Sequence, residues 1–250
     1  MGEQRVIIVT GGASGIGRAT AVKFARAGDQ VVIGDIDERG AMETLTAVDQ
    51  SGGSARFIRT DVTHYADLES LVAATVADYG RLDVMFNNAG LVRPGAFVDG
   101  DLADYHQMID VCQHGVAYGI RAAARAMRAL GKPGTIINTA SVFGFVVNRG
   151  TLGYHAAKGA VIMITKAAAL ELAHCGIRVL AIAPGGVDTP ILQPVKDAGL
   201  IDLVQKFHMR GKLLKAAEIA DAVYLLAMPE AGVINGSVVM LDDGFTAFKL

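Results

Sequence analysis

Two residues able to exchange protons, Tyr154 and Lys158, stand four apart in the sequence. Side chains at i and i+4 share one face of a helix, so a phenol and an ammonium would lie side by side. A free phenol titrates near ~10, too high for a useful base at neutral pH. An adjacent ammonium favours the phenolate, and lowering the pKa by ~3 units represents roughly 4 kcal/mol of differential interaction. The spacing therefore predicts a tyrosine tuned for proton transfer, although such a pair taken alone is more often a surface tyrosine beside a solvated lysine. Ser141 lies thirteen residues before Tyr154, just past a predicted strand end, where α/β sheets gather their ligands.

A second chemistry-bearing stretch is Thr10-Gly11-Gly12-Ala13-Ser14-Gly15-Ile16-Gly17. It follows a predicted strand and opens a predicted helix. Glycine permits a tight turn there and lets a pyrophosphate approach backbone N–H groups at the positive end of the helix. A glycine-rich loop can be only a turn, but the strand-to-helix context is the one the dinucleotide motif requires. Eighteen residues past Gly17, the next predicted strand ends in Gly34-Asp35. A carboxylate there accepts hydrogen bonds from both ribose hydroxyls of an adenosine and repels a 2′-phosphate. Neither Ser14 nor Ile36 supplies the positive charge an NADP site needs, so NAD is the expected cofactor. The competing reading makes Asp35 a turn cap together with Asp37.

The elements that must position these groups are legible as short apolar runs alternating with longer helical stretches. Strands are predicted at 6–10, 31–35, 55–59, 84–87, 135–139, 179–183 and 237–241. Most are unbroken apolar runs, as expected of parallel strands covered on both faces. Helical spacing recurs at 16–27, 67–79, 117–130 and 155–174. This alternation predicts a single-domain, Rossmann-type α/β fold over 1–250: a doubly wound parallel sheet of about seven strands with helices on both faces. The segment 190–215 has mixed composition and reads as a long irregular excursion, an expected substrate lid.

Bulk properties exclude several classes of function. Of 250 residues, 52% are hydrophobic, enough for a sizeable core. The net charge is −2 with no basic block, which argues against nucleic acid or an anionic membrane as partner. The first apolar run is too short for a signal peptide or membrane span, and Gly2 lacks the sequence context of a myristoylation site. The two cysteines, Cys112 and Cys175, form neither a disulfide framework nor a zinc spacing, and no histidine spacing suits a metal. The expected compartment is the cytoplasm.

In order along the chain, TGGASGIG (10–17), DV (61–62), NNAG (87–90), INTASVFG (137–144), YHAAK (154–158), PGGVDTP (184–190) and VINGSVVMLDDG (233–244) resemble the short-chain dehydrogenase/reductase family in its compact branch. The resemblance implies that Tyr154 is the catalytic acid/base and that Ser141 hydrogen-bonds the substrate oxygen. Lys158 would hold the nicotinamide ribose and depress the tyrosine pKa, helped by the positive nicotinamide. Gly11, Ser14, Gly15, Ile16, Gly17, Asp35 and Ile36 would cradle the adenosine half of the cofactor. Asp61 and Val62 would contact the adenine, with Asn88, Ala89 and Gly90 along the adenosine side. Pro184, Gly185, Val187 and Thr189 would hold the nicotinamide ring and its carboxamide. Cys112 stands where the family usually has a proton-relay asparagine; its main-chain carbonyl still offers a place for the relay water, with Gln113 or His114 as possible helpers. LDDG at 241–244 replaces the more usual DGG, and Asp243 is expected to be structural.

The substrate expected is a small, apolar or cyclic secondary alcohol or ketone, because Leu91, Val92, Val142, Phe143, Phe145, Val146 and Val147 near the expected cleft are apolar. Ile191, Leu192, Leu203, Val204, Phe207 and Met209 in the lid are apolar too. Arg93, Arg149 and Arg210 are the cations able to reach an anion. The helix 155–174 carries little charge and, by resemblance, belongs to a four-helix contact that gives a homotetramer, or a homodimer. Two further readings stay open: a 3-oxoacyl-carrier-protein reductase, and a catalytically weak nucleotide-sensing or scaffold protein on the same fold.

Overall fold

The unbroken apolar runs become seven parallel strands because helices cover both faces of the sheet they form. The computed structural model describes residues 4–248; Gly2 lies outside them. In chain order the elements are β1 (Val6–Thr10), α1 (Gly15–Arg26), β2 (Gln30–Asp35), α2 (Glu38–Gln50), β3 (Ser54–Arg59), α3 (Tyr65–Tyr79), β4 (Val84–Asn87) and α4 (Leu102–Ile109). A π-helical turn, Asp110–His114, joins α4 to α5 (Gly115–Ala129). Then follow β5 (Gly134–Thr139), α6 (Leu152–Leu172), β6 (Ile177–Pro184), β7 (Val187–Asp188), α7 (Gln193–Asp197), α8 (Ile201–Lys206), β8 (Leu214–Lys215), α9 (Ala216–Leu226) and β9 (Val238–Leu241).

The sheet order is β3-β2-β1-β4-β5-β6-β9, with every neighbouring pair parallel. The chain runs outward from β1 through β2 to β3, then returns to the other side of β1 at β4. That reversal opens a crevice beyond the carboxyl ends of β1 and β4, where α/β sheets bind ligands. One apolar layer packs Leu68, Leu71, Met127 and Val161 of α3, α5 and α6 against Ile8, Met85 and Ile136. The opposite layer packs Phe24, Val48 and Val223 of α1, α2 and α9 against Ile7, Ile33 and Leu180. All five residues of β1 are buried, as a strand covered on both faces demands.

The predicted helices start and stop within three residues of those observed, the usual uncertainty at helix ends. Two regions differ more. The segment 190–215 is not irregular: it holds α7 and α8, and its end returns as β8 to pair with β7 through Val187↔Leu214. Ahead of α5, helical structure extends back through the π turn to Leu102, over residues given no helix from the sequence. No described helix is long and apolar enough to cross a membrane, and no group of His, Cys, Asp or Glu among the described residues is arranged for a metal. Cys112 and Cys175 are both unpaired thiols.

Candidate active site

β5 ends at Thr139, and two residues later Ser141 caps a single 3-10 turn, Val142–Gly144, accepting from the Phe143 N–H at 3.1 Å. The chain then loops to α6, whose first turns carry Tyr154 and Lys158. Both are buried, Lys158 to 2% exposure. The Tyr154 phenol hydrogen-bonds Ser141. Lys158 Nζ donates to the Thr139 carbonyl at 2.6 Å and lies 5.4 Å from the centre of the Tyr154 ring. Hydroxyl, phenol and ammonium therefore converge at the carboxyl end of β5, as the spacing predicts.

Burial dominates the electrostatics of this pair. Burial drives the Tyr154 pKa well above the usual phenol value, the Cys112 thiol pushes it the same way, and only the Ser141 hydrogen bond opposes them. Burial also lowers the Lys158 pKa, against a smaller upward push from Cys112. Desolvation disfavours the charged form of either group. Among the protein's own groups, burial is the largest influence on the phenol, and it acts against the lowering that a neighbouring ammonium and a positive nicotinamide would exert.

Cys112 sits in the π turn and is fully buried. Its thiol donates to the Leu91 carbonyl at 3.3 Å and accepts from the Leu91 N–H at 3.4 Å. A Cβ on Gly90 would meet Cys112 Sγ at 3.6 Å and Lys158 Nζ at 3.7 Å, so the sulfur and the ammonium flank the same glycine. His114 is engaged elsewhere, paired with Asp110 at 3.0 Å and tilted against Tyr118. That removes it as a helper at the relay position. His155 turns from Tyr154 to staple the loop after Ser141: its ring meets the Phe143 carbonyl at 3.0 Å, Thr151 Oγ1 at 3.1 Å and Asn148 Oδ1 at 2.9 Å.

The glycine loop is built for a close visitor. Gly11 and Gly15 have φ of 66° and 52°, and a Cβ on Gly17 would lie 2.0 Å from the Gly11 carbonyl oxygen. Ser14 makes no side-chain cap and the first turn of α1 carries no acid, which leaves the positive helix end open to an anion. Asp35, half-buried at the end of β2, accepts from the Ala13 N–H at 2.9 Å and the Asp37 N–H at 3.0 Å. It does cap this turn, as the competing reading held, and the same bonds orient its carboxylate beside the loop. Ile36 is 60% exposed next to it. Thr189 reaches across to Gly15, where a Cβ would touch it at 3.1 Å. The open space there, about 460 Å³, is lined by Ser14, Gly15, Arg18, Arg39, Asp188 and Thr189, among others.

The remaining predicted residues divide by what holds them. Asn88 spends its amide on the Thr10 and Gly11 carbonyls at 3.1 and 3.3 Å, and the Ala89 N–H goes to Thr10 Oγ1. Asn88 thereby ties the glycine loop to β4 with its side chain. Asp61 turns inward to Thr63, and Val62 is buried against Gly115. Gly185 has no room for a side chain, because a Cβ would lie 2.9 Å from His208 Nε2. The buried His208, which the sequence reading passed over, accepts from the Gly186 N–H at 3.0 Å and donates to the Val204 carbonyl at 3.0 Å. Of the three candidate cations, Arg210 is neutralised by Glu218 and Asp243, and Arg93 bonds Gln107.

Comparison with known proteins agrees with this geometry. The family described as enoyl-(acyl carrier protein) reductase matches residues 11–246. The chain is 38% identical to 2,5-dichloro-2,5-cyclohexadiene-1,4-diol dehydrogenase LinX of Sphingobium indicum, over 97% of this chain and 96% of that one. This chain is a short-chain dehydrogenase/reductase. A second dehydrogenase of this kind, the cis-4-hydroxycyclohexanecarboxylate dehydrogenase of Sinomonas cyclohexanicum, is 39% identical over 99% of this chain and 100% of its own. A solved short-chain dehydrogenase/reductase from Mycobacterium marinum superposes with a TM-score of 0.94 at 31% identity, covering 98% of this chain and 96% of the other. As a member of this family the protein is an oxidoreductase that works with a nicotinamide cofactor.

Proposed function

We propose that this short-chain dehydrogenase/reductase interconverts a small cyclic secondary alcohol and its ketone using NAD(H). The observation that carries the reading is the contact of Ser141, Tyr154 and Lys158 at the sheet's carboxyl edge, within an apolar surround. Leu91, Val92 and Phe143 pack on the cluster formed by Met108, Cys112, Tyr154 and Ala157. A pocket of that kind suits an apolar body bearing one oxygen. The two relatives described above are named for ring alcohols, which supports a ring as that body.

The glycine loop, Asp35 and Thr189 would hold the cofactor, which supplies a hydride acceptor or donor when bound. This chain's residues manage the oxygen and its proton. Ser141 positions the substrate oxygen, and Tyr154 donates a proton to it in reduction or takes one in oxidation. Lys158 places a positive charge beside the phenol, and burial keeps competing water out. Asp35 favours NAD because its fixed carboxylate faces the adenosine end. The lid is the segment 190–215 over the crevice.

Exposed Met163 and Leu170 on α6, at 62% and 82%, support a homotetramer or homodimer built on that helix. Two unpaired thiols suit the cytoplasm. Initial rates of NADH formation with cyclohexanol, cyclopentanol and cyclohexane-1,4-diol, each with NAD and NADP, test the reading. Turnover of ring alcohols with NAD is expected. Selective reduction of a β-ketoacyl thioester with NADPH would establish the carrier-protein reductase instead, and nucleotide binding without turnover would establish a sensing role.

A further inference from the structure

The C-terminal tail departs from β9 through a turn that the sequence reading set aside as a structural substitution. Asp242 is buried and accepts from the Gly244 N–H at 3.1 Å, the Thr246 N–H at 2.9 Å and Thr246 Oγ1 at 2.7 Å. Asp243 and Gly244 both have left-handed backbones, φ 47° and 78°, so the chain doubles back there. Asp243 then binds the end of the lid: its carbonyl accepts from the Met209 N–H at 2.8 Å, and its carboxylate accepts from Arg210 N at 2.9 Å and Nε at 3.1 Å. A side chain on Gly244 would collide with Met209. The tail and the lid are one assembly at this point.

The turn delivers Phe245 toward the reactive groups. Its ring lies 6.1 Å from that of Phe143, edge to face at 87°. Phe143 in turn stands 6.5 Å from the Tyr154 ring, and its own N–H holds Ser141. On its other side Phe245 meets Phe207 of the lid at 5.1 Å and His208 at 5.4 Å. A continuous row of rings thus runs from the phenol through Phe143 and Phe245 to the lid. Phe143 and Phe245 are only half-buried, so part of their apolar ring surface is uncovered by the chain.

We propose that Phe245 is a specificity-determining residue: with Phe143 it forms the aromatic wall on which the carbon ring of a cyclic alcohol or ketone packs. Two rigid rings set edge to face give a broad dispersion surface to a cyclic body, and less of it to a small open chain. The proposal rests on the ring-alcohol reading above and adds the residue that selects the ring.

Steady-state kinetics with NAD on the full-length protein, comparing cyclohexanol with 2-butanol in wild type and Phe245→Ala, test it. The expected result is a fall of at least tenfold in kcat/KM for cyclohexanol, carried mainly by KM. For 2-butanol the fall should be threefold or less, and NADH affinity by fluorescence titration should stay within twofold. Phe245→Tyr, which keeps the ring, should restore cyclohexanol kinetics. Should the alanine variant not fold, Phe245→Leu keeps the apolar bulk without the flat face and is read the same way. Equal losses for both alcohols would overturn the proposal and make Phe245 a lid anchor, while the ring-alcohol reading would stand. No loss for either would overturn it too. A wild type that oxidises no ring alcohol would overturn both readings together.

Discussion

Replacing Asp35 with asparagine tests the proposal that its charge discriminates between the two nicotinamide dinucleotides. In the wild type both carboxylate oxygens are fixed by backbone donors, Ala13 N–H at 2.9 Å and Asp37 N–H at 3.0 Å. The group therefore cannot swing away when a 2′-phosphate arrives. Two unit charges ~4 Å apart interact by about 1 kcal/mol in water and about 4 kcal/mol at an effective dielectric of 20. Asp35 is half-buried, between those limits, so repulsion of about 2 kcal/mol per phosphate charge follows. At about 1.4 kcal/mol per decade, NAD should be preferred by at least tenfold in kcat/KM.

Asp35→Asn removes the charge at constant shape. It also sets an amide NH₂ against one of the two backbone donors, a cost of about 1 kcal/mol that both cofactors share. The ratio of kcat/KM for NAD over NADP should thus fall at least tenfold. Initial rates with each cofactor at one fixed ring alcohol give the ratio. Added salt should shrink the wild-type preference and leave the variant's unchanged, because only the former is electrostatic. Arg18 is no rival, since its guanidinium is spent on Ala13, Gly40, Thr44 and Glu43. Arg39, 91% exposed in its side chain and 3.7 Å from Glu43, also lines the space beside the loop. A wild type that uses both cofactors equally, or a variant with an unchanged ratio, would refute the reasoning.

Tyr154→Phe keeps the ring and its packing but removes the proton, so kcat should fall by at least ~10²-fold, with NADH affinity by titration unchanged. Because burial raises the Tyr154 pKa, alcohol oxidation, which needs the phenolate, should accelerate as pH rises through the neutral and alkaline range. Ketone reduction, which needs the phenol, should stay level there, and a pH profile in each direction checks both signs. Gly17→Ala places a methyl 2.0 Å from the Gly11 carbonyl oxygen, so NADH binding should be lost, or thermal unfolding should show the loop disrupted. Cys112→Ala should keep kcat within roughly threefold, under ~1 kcal/mol in barrier, while lowering Tm, because it vacates a fully buried site and strips the Leu91 N–H of its acceptor.

What the sequence made legible is what local chemistry determines. Gly11, Gly15 and Gly17 stand where the backbone turns or approaches too closely for any side chain, so their spacing carries the loop. The strands were legible because burial on both faces leaves no polar positions: Val6, Ile7, Ile8 and Val9 are all 2% exposed or less. Tyr154 and Lys158 could be paired from helical periodicity alone. The helices and strand within 190–215 are not legible in the sequence because their order depends on partners distant in the chain. β8 exists through pairing with β7, and the segment around Met209 and Arg210 is fastened by Asp243, more than thirty residues away.

The same dependence on distant packing explains the direction of the Tyr154 pKa. Sequence shows the ammonium four residues away but not the apolar groups that desolvate the phenol, which come from Leu91, Met108, Cys112 and Phe143 on three other segments. Lys158 adds less than its proximity suggests, because its own charge is disfavoured by the same burial and its Nζ is held by the Thr139 carbonyl. A site in which burial outweighs the Ser141 hydrogen bond favours the protonated phenol, the form that delivers a proton to a ketone oxygen. Oxidation of an alcohol needs the phenolate, which a positively charged nicotinamide beside Tyr154 would favour and a neutral one would not. Burial of the phenol would thereby make its proton affinity respond to the charge of the bound nicotinamide.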